Sequence, residues 1–221
     1  MAGSALSPER AARVYDRIGK FQDWQGFYEG PAIRDLMAHA EFASAHRVVE
    51  LGCGTGAMAA ELLSRRLPRD ATYLGLDVSS RMVGIASSRV SAFGERASVR
   101  RISGRPPLPV GDTTADRFVA VYVFDLLSHE LAAAMIEEAR RVLTPEGRLC
   151  LVSLAPGATA ASRMLCAAWN GVWRRAPSLV GGCRPVDLRP RLGPRWRVDH
   201  GRTITAWGVT SQVIVAARAG V

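Results

Sequence analysis

The chain has 221 residues, 48% hydrophobic and 22% charged, which is enough apolar material for one α/β domain with a full core. No polar low-complexity tract interrupts it, which excludes disorder over most of the length. The longest apolar run at its heart, Phe118 to Phe124, stops at Asp125, far short of the roughly 20 residues a bilayer-spanning helix needs. The N-terminus carries Glu9 and Asp16 without an apolar segment, which argues against a secretory signal and predicts a cytoplasmic protein. Cys53, Cys150, Cys166 and Cys183 are widely spaced and form no C-x-x-C pair, so they read as reduced thiols and no metal site is expected.

The net charge is +9, and Lys20 is the sole lysine among 29 basic residues. Residues 156–221 hold ten arginines against Asp187 and Asp199, which is +8 of that +9. Such a segment attracts nucleic acid, an anionic membrane surface or an acidic substrate, or only keeps the protein in solution. The arginines are scattered among prolines with no helical stripe, which favours the last of these and makes a nucleic-acid partner the minority reading.

In chain order, Ser7-Pro8-Glu9 has the form of a helix start and opens a helix to about Ile18. A loop containing Trp24, Gly26 and Gly30 follows, and Pro31 begins a second helix. Strand RVVEL (47–51), a glycine cluster and a helix over 56–67 come next. Then follow strand 71–77, helix 79–90, strand 97–102, strand 117–124, helix 129–143 and strand 149–154. Strands apolar at nearly every position belong to a parallel sheet covered on both faces. The last third reads as a helix over 158–176, a proline- and glycine-broken stretch over 177–194, and two alternating segments that a turn at Gly208 joins into an antiparallel hairpin.

The chemistry concentrates in Glu50-Leu51-Gly52-Cys53-Gly54-Thr55-Gly56. Glycines between a strand and a helix let the backbone turn sharply and approach a ligand closely. Gly52, Gly54 and Ala57 also fit a dinucleotide fingerprint, with Asp77 at the distance of the ribose-binding acid. A nucleoside-containing cofactor is therefore expected.

The segments VVELGCGTG (48–56), YLGLDVSSRMV (73–83) and RRVLTPEGRLCLVSL (140–154) resemble the class I S-adenosylmethionine-dependent methyltransferases of small-molecule type. The resemblance covers residues 46–156 and implies a Rossmann-like, seven-stranded, mostly parallel sheet with an antiparallel C-terminal hairpin and helices on both faces. It implies a single domain over 1–221: N-terminal helices closing the site (1–45), a cofactor-binding core (46–156), and a cover helix, loop and hairpin (157–221). The implied cofactor is S-adenosylmethionine. Asp77 would accept the ribose hydroxyls, Gly52, Cys53, Gly54 and Gly56 would carry the backbone past the methionine moiety, and Glu50 would balance its ammonium or orient the loop. Val78 and Met82 would lie against the adenine, Met82 being equally a core residue. Where many relatives place an acid after the third strand, this chain has Ser103-Gly104-Arg105, so Ser103 and Gly104 would hold the adenine through their backbone, or Asp112 from further along the loop.

The substrate side would be built from Tyr122 to Ser128, the N-terminal helix and the segment after Leu154. Asp125 either orients or deprotonates the acceptor, or caps the next helix. Tyr15 and Tyr28 close the pocket or merely pack, and His129 is a base or a helix start. The helix over 158–176 either covers the sheet or, with Val180 to Pro185, forms a mobile cover offering Arg184 to an anionic group. The expected activity is methyl transfer to a small-molecule acceptor. The alternatives are a nucleic-acid-modifying methyltransferase, against which stands the missing Asp/Asn-Pro-Pro-Tyr/Phe tetrapeptide, and a nicotinamide-dependent dehydrogenase.

Overall fold

A computed structural model describes residues 7–18, 26–176 and 182–220. The strands are β1 (Arg47–Leu51), β2 (Thr72–Asp77), β3 (Ala97–Arg101), β4 (Ala115–Val121), β5 (Leu143–Leu154), β6 (Trp196–Ala206) and β7 (Val209–Arg218). They form one sheet in the order β3-β2-β1-β4-β5-β7-β6. The first five run parallel, and β7 enters antiparallel between β5 and β6. A doubly wound dinucleotide-binding sheet is parallel to its last strand, so this edge separates the fold from the dehydrogenase alternative.

The helices are α1 (Pro8–Ile18), α2 (Gly26–His39), α3 (Ala57–Glu61), α4 (Ser80–Val90), α5 (His129–Val142), α6 (Ala160–Arg175) and α7 (Arg189–Leu192). Residues Val49, Leu51, Phe118, Ala120 and Leu151 of the strands pack on one side with Met135 and Ile136 of α5. Val48, Val119 and Val152 pack on the other side with Leu36 of α2 and Ala59 of α3. Alternate residues of each central strand thus meet helices on opposite faces, which is why these strands read as continuous apolar runs.

Several boundaries differ from the sequence reading for identifiable reasons. α2 begins at Gly26 and carries Pro31 inside it; Gly30 ahead of the proline has no Cβ for the ring to crowd. α3 ends early and continues as a π-type turn over Leu62–Arg66. β4 ends at Val121, since Tyr122 takes a left-handed φ of 54° that no strand continues. β5 begins at Leu143, six residues before the expected start, and the stretch after α6 holds the short α7. The hairpin turns where expected: Trp207 and Gly208 both have positive φ, 53° and 81°, the two-residue geometry that matches strand twist.

Two side-chain anchors set the frame around the carboxyl ends of the strands. Asp35 of α2 accepts from His200 Nε2 at 2.6 Å and from Arg202 Nη1 at 3.1 Å, tying the N-terminal helices to the hairpin. Asp16 of α1 accepts from Ser79 Oγ at 2.5 Å and from Arg81 N at 3.3 Å, while Arg81 Nη1 donates to the Asp16 carbonyl at 2.9 Å. The carboxylate lies at the amino end of α4, where the helix dipole favours negative charge, and its pKa is held low by the Ser79 hydroxyl. α1 thereby lies across the end of β2. Asp16→Ala is expected to speed amide exchange in α1 while leaving exchange in β1, β4 and β5 unchanged, as measured by hydrogen exchange with mass spectrometry.

Candidate active site

The glycine loop hangs from the end of β2. Gly52 N and Cys53 N donate to the Leu76 carbonyl at 2.7 and 3.2 Å. Gly54 N donates to Asp77 Oδ2 at 2.9 Å, and Ser79 N donates to Asp77 Oδ1 at 2.8 Å. The loop needs glycine at two positions in particular. Gly52 has φ +68° and an added Cβ would stand 2.4 Å from Val123 Cγ2; Gly56 has φ +75° and an added Cβ would stand 3.0 Å from the Ala86 backbone. Gly52 thus lets β1 pass close to the segment after β4, whereas Gly56 serves the packing of α3 on α4.

A partly open cavity lies against this loop. Its walls are Gly52, Gly54, Asp77 and Val78 on one side, Pro8, Ala11 and Tyr15 of α1 above, and Tyr122, Val123, Leu126 and Leu127 opposite. A second cavity, walled by Glu29, Glu50, Cys53, Thr55 and Met58, shares Gly52, Gly54, Val121 and Tyr122 with the first. The left-handed backbone at Tyr122 places its ring at this junction, where its hydroxyl meets Ser211 Oγ at 2.7 Å and Tyr28 packs edge-on at 6.2 Å.

Most of the expected site residues therefore converge, whereas Ser103, Met82, Asp112, Gly56 and Asp125 line neither cavity. Gly104 lines the first cavity, and an added Cβ there would stand 2.7 Å from Val78 Cγ1 and 2.9 Å from Pro8 Cβ. Ser103 is exposed and bonds within its own turn, accepting from Arg105 N at 3.3 Å. Met82 is fully buried and belongs to the core instead of the cavity wall, its amide donating to the Ser79 cap at 3.1 Å. Asp112, the alternative adenine partner, is turned to the guanidinium of Arg141.

Glu50 is buried and accepts from the Tyr73 hydroxyl at 2.5 Å. Burial pushes its pKa up to about 7, against the lowering effect of that hydrogen bond. Burial likewise raises Asp77, outweighing the backbone N–H groups that favour its charge. Asp125 is fully buried, neither carboxylate oxygen has a hydrogen-bond partner among the described residues, and its pKa is pushed up to about 7. The capping alternative for Asp125 is corrected: Ser128 caps α5, accepting from Leu131 N at 3.2 Å. His129 is exposed at the first turn of α5.

Cys183 and Glu29 were not singled out by sequence reading. The Cys183 thiol lies 3.9 Å from the Tyr15 hydroxyl, and burial followed by the Asp125 charge raises its pKa. The expected exposed role of Arg184 is also corrected. Its guanidinium donates through Nη2 to the Leu127 carbonyl at 2.9 Å and lies 5.5 Å over the Trp173 ring, and Arg184 is not among the residues lining either cavity. Val180 and Gly181 of the expected cover lie outside the described residues. On α6, Trp169 and Trp173 donate to the carbonyls of Cys183 and Gly182, both at 2.9 Å, while Met164 and Val172 of the same helix are 75% and 41% exposed.

Residues 48–147 match the family model described as a methyltransferase domain. Trans-aconitate 2-methyltransferase of Methylobacterium nodulans is 36% identical over 118 residues, covering 53% of this chain and 42% of that protein. Malonyl-[acyl-carrier protein] O-methyltransferase of Marinomonas sp. is 30% identical over 158 residues, covering 70% of this chain and 55% of that protein. The chain spans about half the length of the curated relatives it matches. The solved structure of the cyclase SpnF superposes with a TM-score of 0.75 at 14% identity over 99% of both chains. Magnesium protoporphyrin IX methyltransferase of Synechocystis PCC 6803, solved with bound S-adenosylhomocysteine, gives 0.64 at 20% identity over 99% of this chain and 90% of its own. These likenesses support a class I S-adenosylmethionine-dependent methyltransferase, with the match carried by residues 48–147.

The partnerless Asp125 has a measurable consequence for stability. Its folded pKa lies above its unfolded one, so the folded state favours the protonated acid; stability from this group is full below the unfolded value of 3.8 and is lost as pH rises to about 7. The loss is on the order of 4 kcal/mol at most, given about 1.4 kcal/mol per pK unit. Asp125→Asn has no such titration, so its melting temperature is expected to gain on the wild type as pH is raised from about 5 to about 8 in paired thermal scans.

Proposed function

We propose that the protein binds S-adenosylmethionine in the two joined cavities and transfers its methyl group to a small-molecule acceptor by in-line displacement. The observation that carries this is Asp77. Each of its oxygens accepts one backbone N–H, each keeps a further lone pair, and the side chain forms part of the cavity wall. A carboxylate at the end of the second strand, facing an apolar cavity, suits a pair of ribose hydroxyls. Val78 and Gly104, packed against each other, form an apolar stretch of wall on the adenine side, and Glu50 in the adjoining cavity offers a carboxylate to an ammonium.

When bound, the cofactor supplies an electrophilic methyl on a sulfonium. The chain contributes alignment and exclusion of water: Tyr15 of α1 covers the first cavity, and Tyr122 holds the junction between the two. Asp125 and Tyr15 are assigned to the acceptor side. In this reading residues 1–45 close the site, 46–156 hold the cofactor and 157–221 cover the acceptor, within one cytoplasmic domain. The basic C-terminal third has internal partners, with Arg195 on Glu137, Arg197 on Asp199 and Arg202 on Asp35, which supports a solvated, ion-paired surface over a nucleic-acid interface.

Calorimetric titration tests the cofactor assignment. S-adenosylhomocysteine is expected to bind the wild type, and Asp77→Ala, losing hydrogen bonds to a charged acceptor worth roughly 1.5 to 3 kcal/mol each, to bind at least about tenfold more weakly. Gly52→Ala is expected to abolish binding, because its Cβ and Val123 cannot both fit. Unchanged affinity in Asp77→Ala, or tighter binding of a nicotinamide dinucleotide, contradicts the assignment.

A further inference from the structure

We propose that the acceptor is an uncharged or cationic molecule bearing an N–H or O–H nucleophile, that anionic acceptors are rejected, and that Asp125 receives the proton released on methylation. This rests on the S-adenosylmethionine reading above and adds the chemical class of the second substrate.

The first support is the sign of the charge around the site. The ionisable carboxyl groups in the walls of the joined cavities are Asp77, Glu50 and Glu29, and no arginine or lysine is among the described wall residues. Arg184, the arginine beside Asp125, is engaged by the Leu127 carbonyl and the Trp173 ring. A carboxylate brought here would lose its hydration and meet like charge at low dielectric, two penalties that no arginine or lysine of the described walls offsets and against which the cofactor's sulfonium sets a single positive charge. The +9 of the whole chain is therefore opposite in sign to its own site. The matched relatives include enzymes named for trans-aconitate and malonyl-[acyl-carrier protein], so the acceptor class proposed here departs from an acid such as trans-aconitate.

The second support is independent of charge counting. Asp125 has no exposed surface, and neither oxygen has a hydrogen-bond partner of good geometry among the described residues, its near neighbours being the Leu154 backbone and the Cys183 thiol, an arrangement that costs stability and is rare in folded proteins. A ligand that donates a hydrogen bond removes that cost. Asp125 lines neither cavity and lies behind the wall of the first. Its charge acts on the Tyr15 hydroxyl, the Tyr122 hydroxyl and the Cys183 thiol, and the contact joining Tyr15 to Cys183 is one of 3.9 Å. Tyr15 and Tyr122 also form part of the first cavity's wall, so one of these side chains must move for the acceptor to meet Asp125. A carboxyl that titrates near neutrality is matched to taking a proton at the pH of the cell.

In the transfer the acceptor's nitrogen or oxygen lone pair forms the new bond to carbon. The carbon–sulfur bond breaks with its electron pair going to sulfur, which becomes a neutral thioether. The acceptor atom, neutral before attack and positive after it, gives its proton to the Asp125 carboxylate and is neutral again; a positive charge elsewhere on the acceptor is unchanged. Atoms and charge balance with no further reactant.

Two experiments on the full chain test this. The protein saturated with S-adenosylhomocysteine is titrated calorimetrically with three probes sharing an apolar body: 4-ethylphenol, 2-phenylethylamine and 3-phenylpropanoate. The phenol or the amine is expected to bind roughly tenfold or more tightly than the carboxylate; equal binding, no binding by any of the three, or preference for the carboxylate overturns the proposal. Methyl-labelled S-adenosylmethionine is then offered with an equimolar mixture of phenols, amines and di- and tricarboxylic acids, and products are identified by mass spectrometry. Label is expected in the phenols or amines; label in the acids contradicts the proposed class. Asp125→Asn is expected to lower kcat about a hundredfold or more with unchanged S-adenosylhomocysteine affinity and a flattened acid limb of the pH–rate profile. Unchanged kcat in that variant removes Asp125 from the proton transfer. Failure of the wild type to bind S-adenosylhomocysteine at all defeats the cofactor reading instead, so the two failures are distinguishable.

Discussion

The carboxylate of Asp77 is the constraint on which the rest of the site depends. Parallel pairing of Leu51 with Leu76 brings the ends of β1 and β2 level, and the next residue of β2 reaches across with both oxygens. One holds Gly54, the other Ser79. Without those bonds a glycine-rich turn has too much backbone freedom to keep one shape. Ser79 is at once the cap of α4 and the hydroxyl donor to Asp16, so the same few atoms fix the glycine loop, the start of α4 and the position of α1. Burial that raises the Asp77 pKa makes the carboxylate costly to keep charged, and bound hydroxyl donors would lower that cost.

Local signals carried much of this into the sequence. A strand apolar at every position, a run of glycines, a helix, and then an acid closing the next strand form a pattern whose parts lie within thirty or so residues, and the structure assembles it as the spacing implies. The Trp207-Gly208 hairpin was equally legible, since the turn type is set by two residues. What sequence reading missed depends on contacts between distant segments. Cys183 reaches Tyr15 across most of the chain, Glu29 enters the second cavity only because α2 starts before Pro31, and Arg184 turns inward because Leu127 offers a carbonyl. Met82 has the helical spacing of either a ring neighbour or a core residue, and burial alone decides for the core. Ser128 and Asp125 were both plausible caps by residue type; the backbone chose Ser128 and left Asp125 inside.

Fold and chemistry are separate questions for this architecture. A cyclase superposes on the chain as well as methyltransferases do, so the sheet order alone assigns no reaction. The assignment of chemistry rests on the glycine loop with Asp77, on the paired cavities, and on the contrast between an arginine-rich outside and an acidic inside. That contrast also explains how the basic C-terminal third coexists with a site whose described walls carry only carboxyl charges: Arg195, Arg197 and Arg202 stand in ion pairs on an exposed face, where solvent screens them.

The central claim is that Asp77 does double duty, shaping the glycine loop and receiving the cofactor's ribose. A crystal structure of the protein grown with S-adenosylhomocysteine tests it most directly. The account predicts both ribose hydroxyls within hydrogen-bond distance of Asp77 Oδ1 and Oδ2, with the Gly54 and Ser79 amides still on the same oxygens and the adenine against the wall that Val78 and Gly104 form. A nucleoside bound elsewhere, or one that displaces Gly54 from Asp77 to reach it, would contradict the account.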